Sequence, residues 1–256
     1  MSDAARMLIE VTGSDRVDFL QGLVTNDLEN LSDGLVYAAL LTPQGKFQVD
    51  FFLVPWGDSI LIDVAAEYGE ALMRRLTFYK LRADVKLAQL DADVTRGLGD
   101  IPNGAFIDPR HKAMGWRGYG AGFAFDAQTD VDWDSIRVAH CIPEIGIELI
   151  PDDSFILEMG FEQLGGVDFR KGCYVGQEVT ARMKHKTTLR KGLALVDIKG
   201  EAPVGTPIDA HNKAVGTLYT QSGGRAIAYL RFDRATEGMT AGDARVDYLR
   251  GESPAE

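Results

Sequence analysis

The densest chemistry in this chain lies between Phe169 and Lys186. Cys173 stands there behind Lys171-Gly172 and ahead of Tyr174-Val175-Gly176, and Gln177 to Lys184 holds good helix formers with nothing to break them. A thiol just before a helix N-terminus meets unpaired N–H groups and the positive end of the helix dipole, both of which favour a thiolate. Arg170 and Lys171 push the same way. Cys173 is therefore expected to be accessible and to act as a nucleophile or metal ligand, the competing reading being a small buried hydrophobe. Glu178 and Arg182 share one helix face in the favourable order. From Arg170 to Lys191 seven bases meet one acid, so this window carries +6 and the rest of the chain −17, for a total of −11. A cation concentrated on an acidic protein suits docking of an anion such as a carboxylate or phosphate, though a solvated face also looks like this.

The second chemical stretch is Thr42-Pro43-Gln44-Gly45-Lys46-Phe47-Gln48-Val49-Asp50. Pro43 presets φ and Gly45 allows a positive φ, which makes a turn. On the strand that follows, Lys46, Gln48 and Asp50 share one face, while Phe47, Val49 and Phe51 take the other. A polar face with an acid, a base and an amide suits a heterocycle with amide and amine edges; it equally suits the solvent face of a hairpin.

Other signals exclude more than they assign. Cys141 and Cys173 are the only cysteines, too few for a disulfide framework or for four thiolates around an iron–sulfur cluster. His111, His140, His185 and His211 show no metal-ligand spacing, so no permanently bound metal is expected. Cys141, in apolar company, reads as structural. Nucleophile-elbow and phosphate-loop signatures are missing. A sequence pI near 4.9 argues against a nucleic-acid coat or a polybasic membrane binder. With no secretory-type start and no run of roughly 18–20 apolar residues, the reading is a cytoplasmic protein.

These residues need positioning elements. Leu8 to Val11 reads as a strand, and Ser14 as the cap of a helix carrying Val17, Leu20, Leu23 and Val24. Leu35 to Leu41, Phe47 to Leu53 and Ile60 to Ile62 read as a meander, and Ala66 to Tyr79 returns to helical spacing. Residues 92–130 give no clear pattern, and Asp132 to His140 reads as a short helix. Beyond Lys191 come short β-like runs, Leu193–Ile198, Val215–Thr220, Ala226–Phe232 and Arg245–Leu249, separated by glycines. They suggest a small antiparallel barrel. The expected domains are 1–188 and 189–256, the second ending in a frayed tail around Gly251 to Pro254.

At the two chemical stretches the sequence resembles the YgfZ family of folate-binding proteins, relatives of the glycine cleavage T-protein, an aminomethyltransferase. Lys171-Gly172-Cys173-Tyr174-Val175-Gly176-Gln177-Glu178 is similar to that family's K-G-C-[YF]-x-G-Q-E signature. Phe19-Leu20-Gln21-Gly22-Leu23-Val24-Thr25-Asn26-Asp27, Thr42-Pro43-Gln44-Gly45-Lys46 and Asp108-Pro109-Arg110 with Gly115-Trp116-Arg117 match its other segments. The resemblance implies an α+β fold, with a T-protein-like folate-binding domain in two α+β parts followed by a small C-terminal antiparallel β-barrel. It implies tetrahydrofolate as cofactor, with contacts from Lys46, Gln48, Asp50, Tyr174, Gln177, Glu178 and Arg182, and chemistry at Cys173, Lys171 and Asp50. The implied role is assembly or repair of iron–sulfur enzymes, some of them tRNA-modifying. Folate and iron–sulfur clients are the expected partners of a monomer that touches neither nucleic acid nor membrane directly. The alternative is a one-carbon (aminomethyl) transferase with Asp50 as acid–base group. The T-protein has Asp where this chain has Cys173, which favours a maturation factor over a classical transferase.

Overall fold

A computed structural model describes residues 5–126, 130–186 and 188–248. The chain divides into two compact units, Met1–Val131 with Glu162–Val179, and Asp132–Phe161 with Thr180–Glu256. The division is interrupted in sequence rather than a single break near residue 188, because Asp132–Phe161 packs with the C-terminal strands. The expected tail lies outside the described residues.

The first unit begins with β1 (Arg6–Thr12), whose Leu8, Ile9 and Val11 are buried. The helix α1 (Arg16–Gln21) follows, shorter than expected. Ser14 does not cap it: its hydroxyl donates to Asp84 Oδ2 at 2.9 Å. Leu23 and Val24 are buried in the turn beyond the helix, and Val17 is exposed. The meander follows as β2 (Val36–Leu41), β3 (Phe47–Trp56) and β4 (Ser59–Ala65), then α2 (Ala66–Lys80) and β5 (Lys86–Leu90). The sheet order is β2-β3-β4-β1-β5, so β5 is an edge strand. Helix α2 buries Gly69, Leu72 and Leu76 on one stripe. A Cβ on Gly69 would come within 2.2 Å of Met7 Sδ, which is why glycine lets the helix approach β1.

The stretch that gave no sequence pattern holds a small sheet, β6 (Val94–Gly97), β7 (Phe106–Ile107) and β8 (Trp116–Tyr119), in the order β6-β8-β7. Strands of two to four residues are too short to show a period.

The second unit opens with α3 (Trp133–His140), whose Asp132 cap accepts from the Ser135 N–H at 3.0 Å. Helix α4 (Gln177–Lys186) spans the division at Val179. The barrel comprises β9 (Lys191–Lys199), β10 (Pro207–Ala210), β11 (Lys213–Ser222), β12 (Arg225–Arg231), β13 (Met239–Ala241) and β14 (Ala244–Tyr248). It closes as β10-β11-β12-β9-β14-β13 through the pairing of Asp209 with Thr240. Closure removes the exposed edges that short strands would otherwise present. Its core is small and apolar, with Val196, Ile208, Leu218, Leu230 and Val246 fully enclosed. The Asp132–Phe161 segment is tied to it by hydroxyl-to-carboxylate hydrogen bonds. Glu148 accepts from Arg137 Nη2 and from Thr220 Oγ1, both at 2.5 Å, and Glu158 accepts from the Tyr229 hydroxyl at 2.7 Å. Cys141 is half-buried here; burial first, then Glu148, pushes its thiol up to about 12, which makes it a structural residue.

Candidate functional site

Three sequence motifs of the first unit meet in one knot. Thr25 exchanges backbone and side-chain bonds with Ala39, and its hydroxyl donates to the Gly166 carbonyl at 2.7 Å. Asn26 Nδ2 donates to the carbonyls of Tyr37 at 2.8 Å and Gly165 at 2.7 Å. The strand β2 and the segment before Cys173 are thus held by two adjacent residues whose side chains can bond in both directions.

Lys171 completes the knot. Its Nζ donates to the carbonyls of Gln21 at 2.9 Å, Val24 at 2.7 Å and Asn26 at 2.9 Å. Those carbonyls end α1 and the turn after it, where no helical partner remains. Burial pushes the ammonium down to about 8, with Asp27 and Asp168 working the other way. All three N–H bonds are used, and the side chain is 6 % exposed. Lys171, expected to take part in the chemistry, is placed here holding three carbonyls, and it lies over the Tyr174 ring at 5.2 Å. A charged residue in a basic run reads as solvated until the carbonyls that take it are known.

The turn Thr42–Gly45 and the turn before α4 lock together. Gly45 and Gly176 have φ of 75° and 85°. A Cβ on Gly176 would stand 2.7 Å from the Thr42 carbonyl oxygen, and one on Gly45 would stand 2.8 Å from Val179 Cβ. Both glycines are therefore required twice, for backbone sign and for contact. Between these fixed points Cys173 is exposed. Gln177 is half-buried and its Nε2 donates to the Gly172 carbonyl at 3.3 Å; Glu178 is exposed and Tyr174 buried. Arg182 and Lys184 are exposed on the part of α4 that belongs to the second unit.

Asp50 lies elsewhere in the first unit, on the β3 face shared with Gln48 and Phe52. Lys46, Gln48 and Asp50 are all half-buried, so this face is neither open solvent nor closed core. Asp50 Oδ2 accepts from the Tyr37 hydroxyl at 2.8 Å. Beyond it runs a network that sequence reading missed. Asp108 accepts from Arg110 Nη2 at 2.8 Å and from Arg117 Nε at 3.1 Å. Asp63 accepts from Arg6 Nε at 2.6 Å, Tyr119 at 3.0 Å and Arg117 Nη1 at 3.3 Å. Arg117, Arg110 and Arg6 lie 4.0, 4.9 and 5.9 Å from the Phe52 ring centroid. Three guanidinium groups thus balance three carboxylates around one aromatic ring.

The electrostatics of the carboxylates diverge. Burial raises the Asp50 carboxyl above its ordinary value, against the Tyr37 bond and the charges of Arg110 and Arg6. Burial also acts on Asp108, but Arg110 and Arg117 prevail and hold it well below the usual carboxylate range. Tyr37 is raised well above its ordinary value by burial and by Asp50, so it stays a donor. Asp50 is the acid of this cluster suited to holding or moving a proton. A path of bonds joins the two halves of the site: Lys171 to the Asn26 carbonyl, Asn26 to the Tyr37 carbonyl, and the Tyr37 hydroxyl to Asp50. Among the described residues no group of three or more His, Cys, Asp or Glu is arranged to hold a metal ion.

Comparison with known proteins adds a second line. Residues 190–252 match the family described as CAF17, C-terminal beta-barrel domain. An iron–sulfur cluster assembly factor IBA57 homolog, mitochondrial, from Pyricularia oryzae is 33% identical over 212 residues, which cover 73% of this chain and 54% of that protein. The mitochondrial IBA57 of Mus musculus is 28% identical over 270 residues, 88% of this chain and 75% of that protein. The chain spans about half the length of the fungal relatives it matches. The glycine cleavage aminomethyltransferase T of Bartonella henselae superposes with a TM-score of 0.74 over 99% of this chain and 85% of its own, at 15% identity. The fold is therefore T-protein-like, with mixed α and β structure and a closed six-stranded barrel, and the sequence likeness is to IBA57 and CAF17 proteins. The relatives found are named IBA57, and one expectation is overturned. The cytoplasmic reading is overturned, because these relatives are named mitochondrial; overall charge and hydropathy do not register a compartment.

Proposed function

We propose that this chain, as a relative of the IBA57 and CAF17 proteins, is an iron–sulfur cluster assembly factor whose Cys173 serves as a thiol ligand during hand-over to client proteins. The observation that carries this reading is the exposed Cys173 on a loop whose flanking residues are pinned by Lys171 and Gly176. A ligand thiol needs access and a fixed approach, and this loop supplies both. Two cysteines cannot complete a cluster, so the remaining ligands come from the client or another subunit.

A reduced folate is part of the proposal. The half-buried face of Lys46, Gln48 and Asp50 fits a pterin, whose amine and ring N–H edge pairs with a carboxylate and an amide. Bound there, the folate would supply one-carbon or reducing chemistry, while the Asp50 carboxylate, itself accepting from Tyr37, orients its ring.

The test is rescue of an iron–sulfur dehydratase in cells deleted for this protein. Wild type restores its activity; Cys173→Ala, at equal abundance, does not. Full rescue by Cys173→Ala would remove the thiol from the mechanism. Calorimetry with tetrahydrofolate separately reads the Asp50 face, where Asp50→Asn weakens binding about tenfold by removing a charge-assisted bond.

A further inference from the structure

We infer that the C-terminal end of α2 is a docking surface for an acidic protein partner that carries apolar anchor side chains. Phe78 is 76 % exposed and Leu81 86 %, far more than the other exposed large hydrophobic residues described. Two large side chains held out in water one turn apart bury little in the fold, Phe78 touching only the edge-on Tyr79 ring at 5.9 Å among the ring contacts described. Leu81 is odd in a second way. It ends the helix at φ 43° and ψ −103°, a region that glycine enters freely and a residue with a Cβ does not. Stability alone would place a glycine there, and a polar residue if any side chain at all. The leucine is explained by what covers it.

The charge around these residues states the partner's sign. From Arg74 to Lys86 there are five bases and one acid, a local +4 on a chain of −11. Arg74, Arg75, Arg82 and Lys86 are exposed. Arg74 pairs with Glu70 at 3.4 Å, while Arg75 and Arg82 enter no ion pair among the described residues. The single acid, Asp84, is bound to Ser14. Beside the helix lies a shallow groove lined by Met7, Glu70, Met73, Arg74, Thr77 and Gln89. Methionines adapt to varied apolar shapes, and Gln89 belongs to the edge strand β5, whose outer side has no strand partner among the described residues. A groove with an edge strand suits a polypeptide. An anionic bilayer could use the cations and the two apolar tips but not the groove, and it would repel the acidic remainder of the chain.

The probe is a labelled short peptide in which Asp and Glu alternate with Leu and Phe, titrated into the full chain and followed by fluorescence anisotropy and amide exchange. The controls are the same peptide with Asn and Gln for the acids, and vesicles of phosphatidylcholine with and without phosphatidylserine. The acidic peptide binds and protects amides at the end of α2 and along β5. The neutral peptide is at least about tenfold weaker, and Phe78→Ser with Leu81→Ser weakens the acidic one by about tenfold or more. Leu81→Gly weakens binding yet keeps or raises the thermal midpoint, since it relieves the backbone. Protection elsewhere, or binding indifferent to both substitutions, overturns the inference. So does vesicle binding that needs Phe78 and Leu81 without peptide binding, which would make this a membrane surface. A concentration-dependent dimer lost in the same variants overturns it in favour of a second copy of this chain.

Discussion

Lys171→Met removes the one cation that closes the knot before Cys173 while keeping an unbranched side chain of similar length. Three carbonyls, of Gln21, Val24 and Asn26, then lose their donor inside the protein. Leaving a buried acceptor without a partner costs about 1–3 kcal/mol, so three cost about 6 kcal/mol. Methionine avoids the cost of burying the ammonium, seen in the fall of the Lys171 pKa to about 8, and so offsets part of that loss. The net loss is about 3 kcal/mol or more, or about 6–12 °C in thermal midpoint for a chain of this size. Urea unfolding and calorimetry at neutral pH read it directly. The pH profile supplies a second signature. The folded value lies below the unfolded one, so between about 8 and 10.5 the unfolded chain holds a proton that the native chain has released. Native stability therefore rises with pH across that window in the wild type, and the rise is absent in Lys171→Met. A loss under about 1 kcal/mol, with iron–sulfur rescue abolished, would refute the structural assignment and return Lys171 to the chemistry.

Two further substitutions test the framework. Gly176→Ala is expected to cost about 3 kcal/mol in urea titrations, from positive φ plus a Cβ 2.7 Å from the Thr42 carbonyl oxygen, whereas Gly57→Ala, at φ 53° in open space, costs only about 1 kcal/mol; equal losses would show that contact between the two turns is unimportant. Asp108→Asn leaves Arg110 and Arg117 without their shared carboxylate and costs about 3–5 kcal/mol at neutral pH. Because the folded Asp108 value lies below the unfolded one, that stability is whole above about pH 4 and lost as pH falls further, so the variant shows a shallower acid limb; identical limbs would refute the pairing.

What the sequence shows and what it hides divide along range. The meander, α2, α3 and α4 are legible because their periods run for several residues, and the barrel is legible through its glycine-spaced apolar runs. Strands β6, β7, β10 and β13 are hidden, since two to four residues owe their pairing to distant partners. The polar face of β3 is visible, but its neighbour Phe52 is the overlooked signal: an aromatic at the next position of a face otherwise holding Lys46, Gln48 and Asp50. Its physical reason is the stack of Arg6, Arg110 and Arg117 upon it. Asp108 and Arg117, which bond each other, are visible as parts of a motif without a role, because the carboxylate of Asp63 that also takes Arg117 is far away in sequence.

The same distinction sorts the signature around Cys173. Lys171 is accounted for by three carbonyls, Tyr174 by burial beneath that ammonium, Gly176 by its φ and the Thr42 turn, and Gln177 by its bond to the Gly172 carbonyl. Each would be needed to fold the loop whether or not the protein had any chemistry to perform. Gly172 and Cys173 differ. A Cβ on Gly172 would meet nothing within 4 Å, and its φ is not one that demands glycine. Cys173 is exposed. The fold asks for neither residue, and an exposed thiol carries an oxidation hazard that serine in its place would avoid. Under the proposed role of Cys173 as a ligand thiol, Gly172, without a side chain, keeps the approach to the sulfur clear for the incoming group.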